Sequence, residues 1–222
     1  MSRTIPSKQA DAFTRTELLV IVAVLLFLGI GFVMWRQSGH LKTRQTRCVN
    51  NLKQIGLAFR IWPKGSDDRY PMNVSTNSQG SMEYILTGET FQHFQAMAPE
   101  LGSAAILICP EDNRQAARSF VLGLANTNLS YFVGVDGDET RPQMLLSGDR
   151  DITNSASTFS RLLTVTTNDP AGWSRRLHRG VGNVCLSDGS VQSELDATRL
   201  RWTIAEGEAQ LHSPMRLAMP VP

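Results

Sequence analysis

The feature that most constrains the fold of this chain is an uncharged apolar run near its N-terminus. Residues 18–35 read LLVIVAVLLFLGIGFVMW and contain no charged side chain. As an α-helix this run would rise about 27 Å, close to the roughly 30 Å of a bilayer's hydrocarbon core. It is longer than the apolar part of a secretory signal peptide, and Arg36 and Gln37 follow it in place of the small residues of a cleavage site. We therefore predict a retained membrane helix rather than a removed signal.

The rest of the composition is that of one globular domain. The chain has 222 residues, of which 41% are hydrophobic, and its formal net charge is +2. Basic residues are scattered except over 36–47, so no footprint of a nucleic-acid binder is present and no nucleic-acid partner is expected. Three cysteines without a CxxC spacing exclude a disulfide-framework miniprotein and allow one bridge at most.

The segment before the apolar run carries the most specific signal. It reads QADAFTRTE, with Phe13 followed four residues later by Glu17, a carboxylate that is costly in lipid unless it meets a cation. This segment resembles the prepilin signal of type IV pilins and type II secretion pseudopilins. The resemblance implies that a prepilin peptidase cuts between Ala12 and Phe13 and methylates the new amine. It also implies that Glu17 pairs with the terminal amine of a neighbouring subunit during assembly. The alternative for Glu17 is a solvated residue favoured by the positive end of the helix dipole.

Two further stretches resemble the pilin-like proteins of planctomycete and verrucomicrobial bacteria. They read CVNNLKQIGLAFRIW, which begins at Cys48, and ILICPEDNRQ, which contains Cys109. The resemblance implies a Cys48–Cys109 disulfide, which an exported domain permits. Two buried free thiols are the alternative. Cys185, in a predicted strand, is expected to be a small core residue.

An amphipathic helix is predicted after the apolar run. Val49, Leu52, Ile55, Phe59 and Trp62 recur at steps of three and four, and Pro63 ends the pattern. The predicted organisation has five parts. They are a prepilin leader (1–12), the membrane half of the N-terminal helix (13–35), its amphipathic half (36–62), a globular domain (63–212) and a mobile tail (213–222).

The globular part shows strand and turn signals of an antiparallel sheet. We predict a loop over 62–81, a short helix within 83–98, a buried strand at AAILIC, and paired strands at LSYFVGV and PQMLLSGD. GNVCLSDGSVQSEL predicts a hairpin closed by a two-residue Asp-Gly turn. DATRLRWTIAE predicts a C-terminal helix with Asp196 as its N-cap. The fold class is therefore α+β and pilin-like, with a long N-terminal helix against a small antiparallel sheet.

Two other chemistries were weighed. Asp136, Asp138 and Glu139 lie close together in VDGDET, and major pseudopilins as a family can hold calcium, yet a solvated acidic turn is the favoured interpretation. His178, Asp188 and a serine could form a hydrolase triad on paper. No serine has a strand-elbow-helix context, and turn chemistry accounts for Asp188. We therefore predict no catalytic residues, no enzymatic activity and no cofactor.

These features predict a structural subunit of a type II secretion pseudopilus or type IV pilus-like fibre. The expected partners are other pilin or pseudopilin subunits, prepilin peptidase, the inner-membrane assembly platform and the membrane itself. The resemblance places the chain in the bacterial inner membrane with its domain outside the cytoplasm, whereas a count of basic residues on each side of the apolar run favours the reverse. A non-polymerising, membrane-anchored binding module that uses loops 64–80 and 136–141 is the alternative. Ala12, where the family usually has Gly, favours it.

Overall fold

The computed structural model describes residues 14–65, 68–154, 161–169 and 171–221 of an α+β chain. The predicted leader over 1–12, and with it Ala12 and Phe13 at the predicted cut, lies outside the described residues. The chain divides into two compact units, one up to Thr43 and one from Arg44 onward.

Helix α1 (Arg15–Ile61) belongs to both units. Its first part, Arg15–Phe32, is long and apolar enough to span a membrane, and none of this segment is buried by the rest of the protein. The helix ends one residue before Trp62, where a 3-10 turn over Trp62–Gly65 begins. Pro63 explains the change, because proline disfavours helical geometry in the residue before it.

The part of α1 in the second unit forms one wall of the core. Leu52, Ile55 and Phe59 are fully buried, and Val49 and Trp62 are half-buried, which confirms the predicted apolar face. The helix also approaches the sheet closely. A Cβ added at Gly56 would lie 2.6 Å from the sulfur of Cys185, so only glycine fits there without movement of its neighbours.

The centre of the fold is a six-stranded antiparallel sheet in the order β4-β8-β1-β2-β6-β7. A two-stranded sheet is formed by β3 and β5. The strands are β1 (Tyr131–Gly134), β2 (Leu145–Asp149), β3 (Ile152–Thr153), β4 (Leu162–Val165), β5 (Gly172–Trp173), β6 (Gly182–Leu186), β7 (Val191–Leu195) and β8 (Met215–Ala218).

Helical segments cover both faces of the large sheet. Tyr131 and Val133 of β1 belong to the core that includes the buried face of α1, whereas Phe132 belongs to a second core with Leu200 and Ile204. This alternation follows from the two-residue period of a strand. The remaining helices are α2 (Phe91–Gln95), α3 (Ala98–Leu101) and α4 (Ala197–Leu211).

Most of the predicted strand pairings are confirmed. The two stretches predicted as paired strands contain β1 and β2, which pair with each other. The predicted C-terminal helix is α4, and the side chain of Asp196 accepts a hydrogen bond from the amide of Arg199 at its N-terminus. The hairpin is β6 and β7, but its turn differs from the prediction. Leu186 donates to Ser190 around a three-residue loop in which Gly189 has positive φ and Asp188 does not.

Two local predictions are wrong. The stretch AAILIC forms a 3-10 helix at Ala104–Leu107, where the hydroxyl of Ser103 accepts from the amide of Ala105. The single helix predicted within 83–98 is divided into a 3-10 turn at Met82–Ile85 and the short helices α2 and α3. Positive φ at Gly88 accounts for the first interruption, since an α-helix requires negative φ.

The C-terminal segment is not the predicted mobile tail. Residues 215–218 form β8, which pairs with β4 on one side and with β1 on the other. Leu217 is fully buried. The alternation Met-Arg-Leu-Ala over 215–218, which places Arg216 outside and its neighbours inside, was the overlooked strand signal.

Truncation of a leucine is expected to lower the stability of the protein far more on the buried face of α1 than on its exposed face. Leu52→Ala should lower the free energy of unfolding by about 2–5 kcal/mol, because it leaves a cavity in the core. Leu57→Ala is the matched control, since Leu57 lies on the same helix with 57% of its side chain exposed. Denaturant unfolding of the full chain in detergent, followed by tryptophan fluorescence, measures both. Equal losses in the two variants would contradict the packing of α1.

Candidate functional site

Glu17 lies in a capping box at the start of α1. Its Oε2 accepts hydrogen bonds from the backbone amide and the hydroxyl of Thr14, each at 2.9 Å. In return the Oγ1 of Thr14 accepts from the amide of Glu17 at 3.3 Å. This reciprocal pattern satisfies two amides that a helix start otherwise leaves unpaired. It fixes the carboxylate of Glu17 within the first turn of the apolar helix.

The helix surface that follows Glu17 is apolar on every side. Large apolar side chains from Leu18 to Phe32 are at least 44% exposed, and Phe27 reaches 81%. A helix that is apolar all round is normally covered by lipid or by protein. This segment is therefore a candidate interaction surface.

The second unit contains a disulfide between Cys48 of α1 and Cys109, as the resemblance implied. It closes a loop of 61 residues, a constraint that in the chain-entropy model stabilises a fold by about 4 kcal/mol. Close to the bridge, the side-chain amide of Asn51 donates to the carbonyl of Ile108 at 2.8 Å. The two cysteine-bearing segments are therefore joined by a hydrogen bond as well as by the bridge.

A buried histidine contacts the disulfide. The Nε2 of His178 lies 3.4 Å from the Sγ of Cys109 and 3.3 Å from the Oδ2 of Asp149. The same Oδ2 accepts from the amide and the side chain of Asn183 at 2.7 and 2.8 Å. Burial opposes protonation of His178, but the hydrogen bond and negative charge of Asp149 outweigh it and raise the pKa of the imidazole.

A second buried carboxylate, that of Asp151, belongs to this cluster. Burial, together with the negative charge of Asp149, raises the pKa of Asp151 to about 7. One oxygen of each carboxylate, Oδ1, has no hydrogen-bond partner among the described residues. Asp151 also lines a cavity of about 270 Å³ with Arg150 and Ser174. Two buried carboxylates and one buried histidine, with raised pKa values for Asp151 and His178, make this cluster a candidate functional site.

Sequence reasoning overlooked this cluster although it singled out His178. The partner of His178 is Asp149 at the end of β2, not the Asp188 of the hypothetical triad. Asp188 is exposed, and its Oδ1 accepts from the amide of Ser190, as expected for a turn residue. The available signal was Asp149, an acidic residue that directly follows the apolar strand sequence LLSG. A carboxylate at the end of a buried strand requires a partner.

The acidic residues weighed for calcium have other contacts. Asp136 accepts from the backbone amide of Arg216 at 2.8 Å and pairs with its guanidinium. Asp138 accepts from the amide and the hydroxyl of Thr140, at 2.9 and 2.7 Å. Glu139 is exposed. The contacts of Asp136 and Asp138 are those of an ion pair and a loop cap, so the structure brings no convergent set of three carboxylates together here.

The two loops named for the alternative function lie side by side. The side chain of Asn73 donates to the carbonyl of Gly137 at 2.7 Å. A cavity of about 310 Å³ lies between the loops, lined by Arg69, Asn73, Asp136 and Arg141 among others. Acidic and basic side chains both line this cavity.

The buried Asp151 is expected to make stability fall as pH rises. Its folded pKa of about 7 exceeds the usual 3.8, so between these values the folded protein binds a proton that the unfolded chain has lost. Asp151→Asn should match the wild type near pH 4 and exceed its unfolding free energy by about 2–4 kcal/mol near pH 8. His178 acts in the same direction, because a raised histidine pKa stabilises the fold at low pH and this contribution is lost as pH rises through the folded value.

Denaturant unfolding across pH, with the disulfide intact, measures this effect. Asp188→Asn is the matched control, because that carboxylate is exposed and asparagine can accept the same turn hydrogen bond. The buried His93, whose pKa burial lowers to about 4, acts in the opposite direction in both proteins, so the difference between Asp151→Asn and the wild type is the quantity to compare. A difference in unfolding free energy that stays constant between pH 4 and 8 would contradict the assignment.

Comparisons of the chain with protein-family models, with curated proteins and with solved structures found no match. The resemblance of the N-terminal segment to prepilin-type subunits therefore stays a prediction. A function for the chain has to be inferred from the chemistry of its own residues.

Proposed function

We propose that this protein is a structural subunit of a type II secretion pseudopilus or type IV pilus-like fibre. Prepilin peptidase processes it, and it assembles through its N-terminal helix. One observation carries this proposal: an exposed apolar helix, whose first turn holds a capped glutamate, begins two residues after the predicted cut.

The exposed apolar surface supports both states of such a subunit, the membrane-inserted state and the assembled fibre. Each large apolar side chain contributes about 1.5–3 kcal/mol when it is removed from water. Lipid provides that environment while the subunit is in the membrane, and the same helix from neighbouring copies provides it in a fibre. Assembly can therefore exchange one apolar environment for another without exposing the helix to water.

The capping box supports a role for Glu17 in register between copies. It satisfies part of the hydrogen-bonding capacity of the carboxylate but leaves its charge uncompensated. A cut before Phe13 would leave the amide of Thr14 in place, so the box would survive processing. It would also create an ammonium group within a few residues of Glu17. Pairing with the ammonium of a neighbouring copy compensates a charge that lipid cannot.

The disulfide supports a location outside the cytoplasm. Structural disulfides persist in oxidising compartments and are rare in the cytosol. A bridge between Cys48 and Cys109 is consistent with a single-pass inner-membrane protein whose domain faces the periplasm or forms part of an extracytoplasmic fibre. The basic residues after the apolar run, which favour the opposite orientation, carry less weight in this assignment.

A membrane-anchored binding module that does not polymerise is the second candidate. The cavity between the loops that contain Asn73 and Asp136 favours it, because these two segments are far apart in sequence and form one concave surface. In that case residues 1–12 would be retained, and no free amine would be available to Glu17.

Processing is tested by intact mass and N-terminal sequencing of the protein from membranes of a host that carries a prepilin peptidase. We expect a chain that starts at Phe13 with one added methyl group on its amine. Ala12→Gly should increase the processed fraction, and a host without the peptidase is the control. Retention of residues 1–12 in wild type and in Ala12→Gly would contradict the fibre proposal and leave the anchored binding module.

The role of Glu17 is tested by two variants that separate its charge from its capping bonds. Glu17→Gln keeps an oxygen that can accept from Thr14 but removes the charge, and should abolish fibres in the sheared fraction while membrane levels persist. Thr14→Ala removes the hydroxyl at a cost of about 1 kcal/mol to the helix start and should still assemble. Normal assembly of Glu17→Gln would show that Glu17 acts as a cap alone.

A further inference from the structure

The disulfide and its neighbouring histidine form a group of three metal-ligating residues. The ligand atoms of Cys48, Cys109 and His178 all lie within 4.8 Å of one another, and all three residues are buried. Two thiolates and one imidazole are a donor set typical of zinc. Both sulfurs are joined in the disulfide in this structure, so only the reduced, dithiol form of the chain could bind a metal ion through them.

One distance already matches the separation of two ligands on one tetrahedral ion. With Zn–S near 2.3 Å and Zn–N near 2.0 Å, a sulfur and a nitrogen on the same zinc are about 3.5 Å apart. The Nε2 of His178 lies 3.4 Å from the Sγ of Cys109. The Cα atoms of Cys48 and Cys109 are 4.9 Å apart, so both thiolates can reach one ion by side-chain rotation.

An oxygen donor is also present. The Oδ2 of Asp149 lies 3.3 Å from the same Nε2, and the carboxylate is fully buried. Its Oδ2 is paired with His178 and Asn183, but its Oδ1 has no hydrogen-bond partner among the described residues, which is costly for a buried carboxylate. A divalent ion at Nε2 would lie beside this carboxylate and replace the positive charge of a protonated imidazole.

Hydrogen bonds as well as the bridge join the segments that carry the cysteines. Asn51 on α1 donates to the carbonyl of Ile108, next to Cys109, and the hydroxyl of Tyr131 donates to the carbonyl of Cys48. These bonds join the segments that carry both cysteines to each other and to the sheet. The dithiol form therefore retains contacts that hold its donors together.

We propose that the dithiol form of this protein binds one Zn²⁺ through Cys48, Cys109 and His178, with Asp149 as a neighbouring carboxylate beside the imidazole. The disulfide and the zinc complex are then alternative states of one site. Zinc binding releases the thiol protons and the Nε2 proton and transfers no electrons. This inference does not depend on fibre assembly.

The test uses the full chain in detergent, reduced by a phosphine. Reduction opens the bridge, both sulfurs end as thiols, and the phosphine becomes its oxide with an oxygen atom from water. Titration with Co²⁺ should give one equivalent of a tetrahedral complex with visible d–d bands and thiolate-to-cobalt charge transfer, and Zn²⁺ should displace it. The oxidised chain should show no such bands.

Variants assign the ligands. Cys48→Ser and His178→Ala should each weaken binding by more than the roughly 10- to 100-fold that loss of an outer-shell partner costs. Cys185→Ala is the matched control and should bind as the wild type does, because Cys185 is a buried thiol outside the group. Far-ultraviolet circular dichroism checks that each variant is folded, and His178→Gln replaces His178→Ala where folding fails.

Three outcomes would overturn the proposal. They are absence of thiolate-to-cobalt bands in the reduced, folded wild type, unchanged bands in a folded His178 variant, and loss of the bands in Cys185→Ala. The first would mean that the reduced sulfurs separate or stay protonated. The second and third would place the metal on other groups.

Discussion

The structure depends on two opposite requirements placed on one helix. From Cys48 to Phe59, α1 supplies fully buried residues to the core of the domain, and Gly56 allows it to approach the sheet closely. From Leu18 to Phe32, the same helix presents only exposed side chains, almost all of them apolar. The first segment is satisfied within the chain. The second requires an apolar environment from outside it, and this requirement is the basis of the proposed membrane location and fibre assembly.

The domain contains a second unusual environment, the buried group around His178. A stable core usually neutralises or excludes such charges, yet here Asp149, Asp151 and His178 are enclosed beside the disulfide. Burial, with the charge of Asp149, raises the pKa of Asp151, and the hydrogen bond and charge of Asp149 outweigh burial to raise the pKa of His178. Groups with perturbed pKa values often mark functional sites, and His178 contacts the sulfur of Cys109.

Local sequence patterns predicted the parts of the fold that local chemistry decides. Steps of three and four predicted the buried face of α1, and Asp196 predicted the start of α4, because both signals act within a few residues. The same reasoning failed for 215–218, where four residues form a strand only because β1 and β4 lie on either side. It also failed for Ala104–Leu107, an apolar run too short to distinguish a strand from a helical turn.

Among the candidate sites, too, local contacts could be predicted from sequence and long-range contacts could not. The capping box of Glu17 could have been read from Thr14 and Glu17, three residues apart, whereas the contact of His178 with Asp149 joins residues 29 positions apart in sequence. The disulfide was implied by resemblance, since three cysteines allow three pairings and nothing local selects one. Long-range pairings of this kind require the sheet register before they can be predicted.

The most direct test of the account is photo-crosslinking from the exposed apolar segment of α1. A photoreactive residue at Leu25, which is 62% exposed, is compared with one at Leu57 in membrane and sheared-fibre fractions. We expect lipid adducts from Leu25 in the membrane and crosslinks to a second copy of the chain in sheared fibres. Lipid adducts alone, with no copy-to-copy product and no sheared material, would contradict it and indicate a permanent anchor.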